Sequence, residues 1–213
     1  MPRNISLLYW GGASSYLLAL FFTAYPLSFI HKALPIVLLL VVATHQMRGT
    51  SRVLLVSALF FCAAGDVLLA LDLEQGFIFG LSAFALAHLS FTLCFYRWRH
   101  WHKRQLLLLL PLALFLLVML WLLIPASGAL QIPVLGYLGI ISAMAITAIL
   151  ANVSGRYLLI GASCFVISDS LLAINKFLQP LPYEGLLIMF SYYLAQYCLL
   201  QGCIDKGHDD EIT

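Results

Sequence analysis

The sequence has little charge. Asp, Glu, Lys and Arg make up 9% of its 213 residues, where a soluble domain carries about 25%. So few charges cannot cover the surface of a water-soluble domain this long. The five cysteines form no C-x-x-C pair and lie in or beside apolar runs, which argues against a disulfide framework or a thiolate metal site. Six histidines are present without H-E-x-x-H or other metal spacing, and there is no G-x-S-x-G, P-loop or G-x-G-x-x-G. No metal or cofactor is therefore expected. The first apolar run lacks an A-x-A cleavage site and reads as a retained helix, not a removed leader. What fills the chain instead is apolar surface: 63% of residues are hydrophobic and the mean hydropathy is +1.00. A bilayer is the solvent such a chain suits.

Eight apolar segments recur, at roughly 5–25, 33–46, 53–71, 76–96, 105–124, 132–151, 157–175 and 185–203, parted by short stretches of Pro, Gly or charge. A helix needs about 20 apolar residues to span a bilayer, and only helices or closed barrels satisfy their backbone groups in lipid. Unalternating Leu, Ala and Phe favour helices. The expected fold class is all-α: a polytopic membrane protein with eight transmembrane helices, forming a single transmembrane domain over 1–213. The basic residues fit this count. With a cytoplasmic N-terminus, Arg3, Arg48, Arg52, Arg97, Arg99, Lys103, Arg104, Arg156 and Lys206 share one side, and Lys32 and Lys176 the other. Nine against two is the bias the positive-inside rule asks for. Both termini are then cytoplasmic. The loop "RWRHWHKR" reads as a headgroup-layer anchor, so no nucleic-acid partner is expected. The acidic end "DKGHDDEIT" reads as a short disordered tail.

The third segment runs "RVLLVSALFFCAAGDVLLA" and the seventh "RYLLIGASCFVISDSLLA". Arg52 precedes Asp66, and Arg156 precedes Asp169, by nearly the same interval, and each Asp is followed by x-Leu-Leu-Ala. This is an internal repeat, helices 3–4 resembling helices 7–8. At about 1.5 Å per residue both carboxylates lie about 20 Å from the cytoplasmic helix ends, at matching depth. An Asp at a helix centre costs about 2.5–3.5 kcal/mol on insertion scales, so two cost an amount comparable to the net stability of many proteins. Residues kept at that cost face a bundle interior or a cavity. Cys62 and Asp66 share a face with Ala58, and Asp169 shares one with Ala162, Phe165 and Ala173. A packing role, with each Asp bonded to a neighbouring helix, is the plain alternative.

Further polar groups are placed to meet the pair. Lys32 opens the second helix on the outer side, Tyr137 lies early in the sixth, and Asn175 is near the outer end of the seventh. His88, Tyr192, Tyr193 and Gln196 fall nearer mid-membrane. The chemistry on offer is acid–base work by two carboxyls in unlike surroundings.

The stretches "KALP" (32–35), "GDVLLA" (65–70), "AHLSF" (87–91), "PVLGYLGIISAM" (133–144), "SDSLLA" (168–173) and "YYLAQY" (192–197) resemble the YhhN family of membrane proteins, which includes the animal lysoplasmalogenases. The resemblance implies an eight-helix membrane hydrolase that cleaves the vinyl ether of a lysophospholipid to a fatty aldehyde and a glycerophospho-base. Protonating the vinyl ether leaves an oxocarbenium ion, the type of transition state that paired carboxyls handle in glycosidases. Asp66 and Asp169 are then the catalytic pair, in either order; Lys32 is a candidate ligand for the lipid phosphate or an interfacial snorkelling lysine, and the other polar residues named above bind substrate or support the pair. The partners implied are a lysophospholipid and membrane lipids, and the expected location is a bacterial inner membrane. Two rival readings are a proton-coupled transporter, since repeated intramembrane Asp residues also serve proton relays, and a lipid-binding protein without turnover. A hydrolase acting on another ether or ester lipid is a third.

Overall fold

The computed structural model describes residues 1–22, 25–71, 73–151 and 156–212, without the side chains of Arg104 and of 208–212. Eight α-helices follow in order: α1 (Arg3–Ala19), α2 (Ser28–Gln46), α3 (Gly49–Ala70), α4 (Gly76–Arg97), α5 (Lys103–Ala126), α6 (Gln131–Ala151), α7 (Tyr157–Phe177) and α8 (Glu184–Ile212). A single 3-10 turn, Gly128–Leu130, leads into α6. No strand occurs among the described residues.

Seven helices, α2 to α8, are long and apolar enough to cross a membrane. The first, at 17 residues, rises about 26 Å against a hydrocarbon core of about 30 Å. The expected first segment ran on to residue 25, but α1 stops at Ala19. Its end tightens through i→i+3 bonds from Phe21 N to Leu18 O and from Phe22 N to Ala19 O, both 3.1 Å; residues 23 and 24 lie outside the described residues. Two further expectations need correcting. The second segment does not begin at 33: Leu27 takes the left-handed conformation (φ 65°) and α2 starts at Ser28, so Lys32 is inside the helix and Pro35 is too. Proline there removes one backbone bond; the expected boundary rested on Pro26 and the charge of Lys32, which suit a break. The acidic end is not a loose tail in its first part, because the backbone of α8 continues through Ile212.

α3 packs most extensively on α4, and α7 on α8. Glycines allow both approaches. A Cβ on Gly80 would lie 2.6 Å from Leu69, and one on Gly65 2.7 Å from Phe84. In the second pair Gly161 abuts Leu199 and Gly202 abuts Leu158, with a neighbouring backbone nitrogen 2.9 and 3.0 Å from the missing Cβ positions. Close backbone approach through small residues is how apolar helices associate without help from water. The α1 helix runs antiparallel along α8. Met1 N bonds Gln201 Oε1 at 2.8 Å, Ser6 Oγ meets Tyr197 OH at 3.2 Å, Tyr9 OH donates to Tyr193 O at 2.7 Å, and Leu20 packs near Gly185. The helix α5 stands apart on the flank of α6 and α7, with only Gln105, Met119 and Leu123 buried among its described residues.

Candidate active site

Where α3 and α7 end and α4 and α8 begin, the bundle encloses a cavity of about 430 Å³. Asp66 and Asp169 both line it. Each reaches it from late in its helix, four residues before the end of α3 and eight before the end of α7. The small side chains that flank them let neighbouring helices close behind.

Asp66 is buried and both its carboxylate oxygens are engaged. Lys32 Nζ pairs with Oδ1 at 3.2 Å and also lies 3.5 Å from the Asp66 carbonyl oxygen. Tyr192 OH donates to Oδ2 at 2.8 Å. Lys32 is itself held by its backbone, because Tyr193 OH donates to Lys32 O at 2.8 Å. A buried ion needs this: its charge must be paired and its remaining lone pairs satisfied.

Asp169 has a different set of partners. Tyr137 OH donates to Oδ2 at 2.5 Å, and His88 Nε2 lies 3.0 Å from the same oxygen and 3.0 Å from Tyr137 OH. His88 is fully buried and its Nδ1 has no partner. A neutral ring that donates from Nε2 leaves Nδ1 as a bare acceptor, which avoids stranding an N–H in apolar surroundings. Both donors to Asp169 are then neutral. Its Oδ1 carries no hydrogen bond among the described residues.

Aromatic rings link the partners of the two carboxyls. Phe165 lies 4.5 Å from the His88 ring and 5.5 Å from Tyr192, and Phe84 lies 5.8 Å from Tyr192, all edge to face. The open rim carries charge of both signs, with Glu74, Glu184 and Lys176 among its lining residues. Gln196 is fully buried one turn beyond Tyr192, beside Cys62, and neither its Nε2 nor its Oε1 has a partner. Buried amides in that state usually meet ordered water.

Sequence reasoning named most of this constellation. Lys32, His88, Tyr137 and Tyr192 do converge on the two aspartates. Tyr193 does not touch either carboxyl; it binds the backbone of α2. Asn175 lines the cavity, but its Oδ1 accepts from Leu181 N at 2.9 Å and so braces the turn into α8. Ser168 is no nucleophile candidate, since its hydroxyl donates to Ile188 O at 3.0 Å. The aromatic wall and the charged rim went unnamed. A Phe at helical spacing looks like any core Phe, and Glu74 and Glu184 sit in breaks where charge is ordinary.

Residues 27–203 match the YhhN family. Among individual relatives, a lysoplasmalogenase of Mycobacterium tuberculosis (strain CDC 1551 / Oshkosh) is 35% identical over 180 residues, covering 80% of this chain and 68% of the relative. The human lysoplasmalogenase TMEM86A is 33% identical over 159 residues, covering 70% and 64%. The human lysoplasmalogenase TMEM86B is 35% identical over 143 residues, covering 67% and 60%. No solved structure matches. With an all-helical bundle, seven helices fit to cross a membrane, and a family match over most of its length, the chain is an integral membrane protein that belongs to the YhhN family.

Proposed function

We propose that the protein is a membrane hydrolase that cleaves the vinyl ether bond of lysoplasmalogens, releasing a fatty aldehyde and a glycerophospho-base. The observation that carries this is the meeting of two differently partnered carboxyls in one cavity. The relatives named lysoplasmalogenase supply the substrate class.

The unlike partners divide the labour. Asp169, flanked by neutral donors on Oδ2, presents Oδ1 to the cavity as the proton donor to the vinyl ether carbon distal to oxygen. Electrons of the double bond take that proton, and the adjacent carbon becomes an oxocarbenium ion. Asp66, paired with the Lys32 ammonium, faces that cation as a carboxylate. Water then adds to the cationic carbon, and its surplus proton returns to Asp169. The hemiacetal collapses by breaking its C–O bond to the glycerol, giving aldehyde and alcohol, so the net change is addition of one water. Preorganised charge of this kind is a large contributor in enzymes, and general acid catalysis adds about 10²–10⁴-fold. Gln196 lies one turn behind Tyr192 with both amide atoms unpartnered, and supports the site from outside the cavity lining. The mixed rim suits a zwitterionic headgroup, with Lys176 toward phosphate and Glu74 and Glu184 toward the ammonium. Lys32, already paired, is not the phosphate ligand in this reading.

We further propose that all eight helices span, with both termini cytoplasmic in a bacterial inner membrane. The nine-to-two distribution of Lys and Arg and the antiparallel course of α1 along α8 support it.

The deciding experiment follows aldehyde release from a lysoplasmalogen by detergent-purified protein, through a coupled reductase. Turnover by the wild type and its loss in Asp169→Asn is the expected result. Lipid or proton flux in proteoliposomes without aldehyde would favour the transporter reading instead.

A further inference from the structure

An apolar path leaves the cavity on the far side of Asp169. Its first part is a narrow crevice of about 40 Å³ between α4, α5, α6 and α7 that passes Asp169, from Leu123 and Phe177 at the helix ends to Leu116, Ile141 and Val166. Its second part is a groove of about 410 Å³ between α5, α6 and α7, lined by Leu112, Phe115, Ala145, Leu159 and Ser163. Val166 lines both. Along α7, from Asp169 back to Leu159, the path covers about 15 Å, or half of a hydrocarbon core of about 30 Å. Half a core is the depth of one lipid chain. One wall of the whole path is α5, the least buried of the seven helices long and apolar enough to cross a membrane, so the crevice can widen without unpacking the α3–α4 or α7–α8 pairs.

We infer that this path is the binding site for the hydrocarbon chain of the lysolipid, with its polar end fixed at Asp169. The inference rests on the hydrolase reading and deepens it. Polar headgroup and glycerol occupy the charged cavity, the chain runs between α5, α6 and α7, and the bond joining them falls where cavity and crevice meet. Asp169 lines both spaces, whereas Asp66 lines only the polar one. The chain site therefore selects Asp169 as the carboxyl that meets the reacting carbon. It also makes the groove a ruler: a bulky residue at a given depth excludes chains that reach past it.

Two substitutions test the ruler. Ser163 is exposed in the groove, about 9 Å along α7 from Asp169, and Leu159 is about 15 Å along. With alkenyl lysophosphatidylethanolamines from eight to eighteen carbons, Ser163→Phe should lower kcat/KM for the longest chains at least tenfold relative to the shortest. Leu159→Phe should do so only for chains longer than those Ser163→Phe already excludes. If Ser163→Phe misfolds, Leu159→Phe carries the test alone. Thermal shifts with non-hydrolysable saturated ether lysolipids of the same lengths give a reading independent of turnover. Chain-length thresholds in those shifts without any aldehyde release would sink the hydrolase reading and keep the chain site. Turnover with chain preference unchanged in both variants, or shifts indifferent to chain length, would reduce the groove to a contact for ordinary bilayer lipid and overturn the inference.

Discussion

Lys32 and Asp66 come from different helices and pair at the buried inner edge of the cavity, so neither is comfortable alone. Lys32→Met leaves a buried carboxylate with only Tyr192, and breaking a buried pair in this way costs about 3–5 kcal/mol. The melting temperature should fall accordingly. Adding Asp66→Asn should restore much of it, because the stranded charge is gone, yet aldehyde release should stay lost. Recovery of activity in the double variant would remove Asp66 from the reaction. Asp169→Asn is the milder case for stability: it keeps an oxygen acceptor for Tyr137 and His88, and should melt near the wild type while turnover falls roughly 10²–10⁴-fold. Gln196→Leu separates structure from function differently. It deletes two unpartnered buried polar atoms, each costing about 1–3 kcal/mol when no water meets them. If an ordered water satisfies that amide, the variant melts no higher than the wild type and, with Tyr192 one turn away, turns over more slowly. A higher melting temperature with unchanged turnover would show a dry amide with no part in the chemistry. The aspartates themselves were legible because a carboxyl in an apolar run is costly and stands out. Tyr192 and Tyr193 were not separable by sequence, since neighbours on a helix point about 100° apart and only the packing decides which one meets Asp66.

Helix identity was readable from the length of each apolar run, but helix ends were not. The bounds slipped where local chemistry and composition disagree. Lys32 looked like a terminus because a cation soon after Pro26 resembles a break, and its burial depends on a partner 34 residues away. The helix-pair contacts were equally hidden, although the small residues that make them were visible. Gly161 and Gly202 close the α7–α8 contact, where even a methyl would come within about 3 Å of backbone. Gly161→Ala and Gly202→Ala should each destabilise the bundle by about 1–3 kcal/mol, the usual cost of overpacking. Gly136→Ala, with nothing within 4 Å of its missing Cβ, is the control and should gain slightly from helix propensity. Melting curves in one detergent compare the three. Because α7 carries Asp169, the two destabilising changes should also lower turnover, whereas a change on the outer face of α5 should not.

The bundle as a body raises the question of α1, which falls short of the usual spanning length yet lies against α8 from Gln201 to Gly185. Those sixteen steps of α8 rise about 24 Å, nearly a hydrocarbon core, so a helix that keeps pace with them crosses the same thickness. Tyr9 and Ala13 are fully buried in the contact, and Tyr9 reaches the α8 backbone beside the two site tyrosines. A surface-lying α1 would leave that hydrogen-bonded tyrosine without its partner. The charges favour eight crossings only through Arg3: with α1 out of the membrane, nine against two becomes eight against three. The expectation is therefore that both termini face the same side as the Arg97–Arg104 loop. Reporter fusions at each end, one reporter active only in the cytoplasm and one only outside it, check this directly. Matching signals at the two ends support eight crossings. Opposite signals would mean seven, and would move α1 out of the membrane without disturbing the cavity residues on α2, α3, α4, α7 and α8.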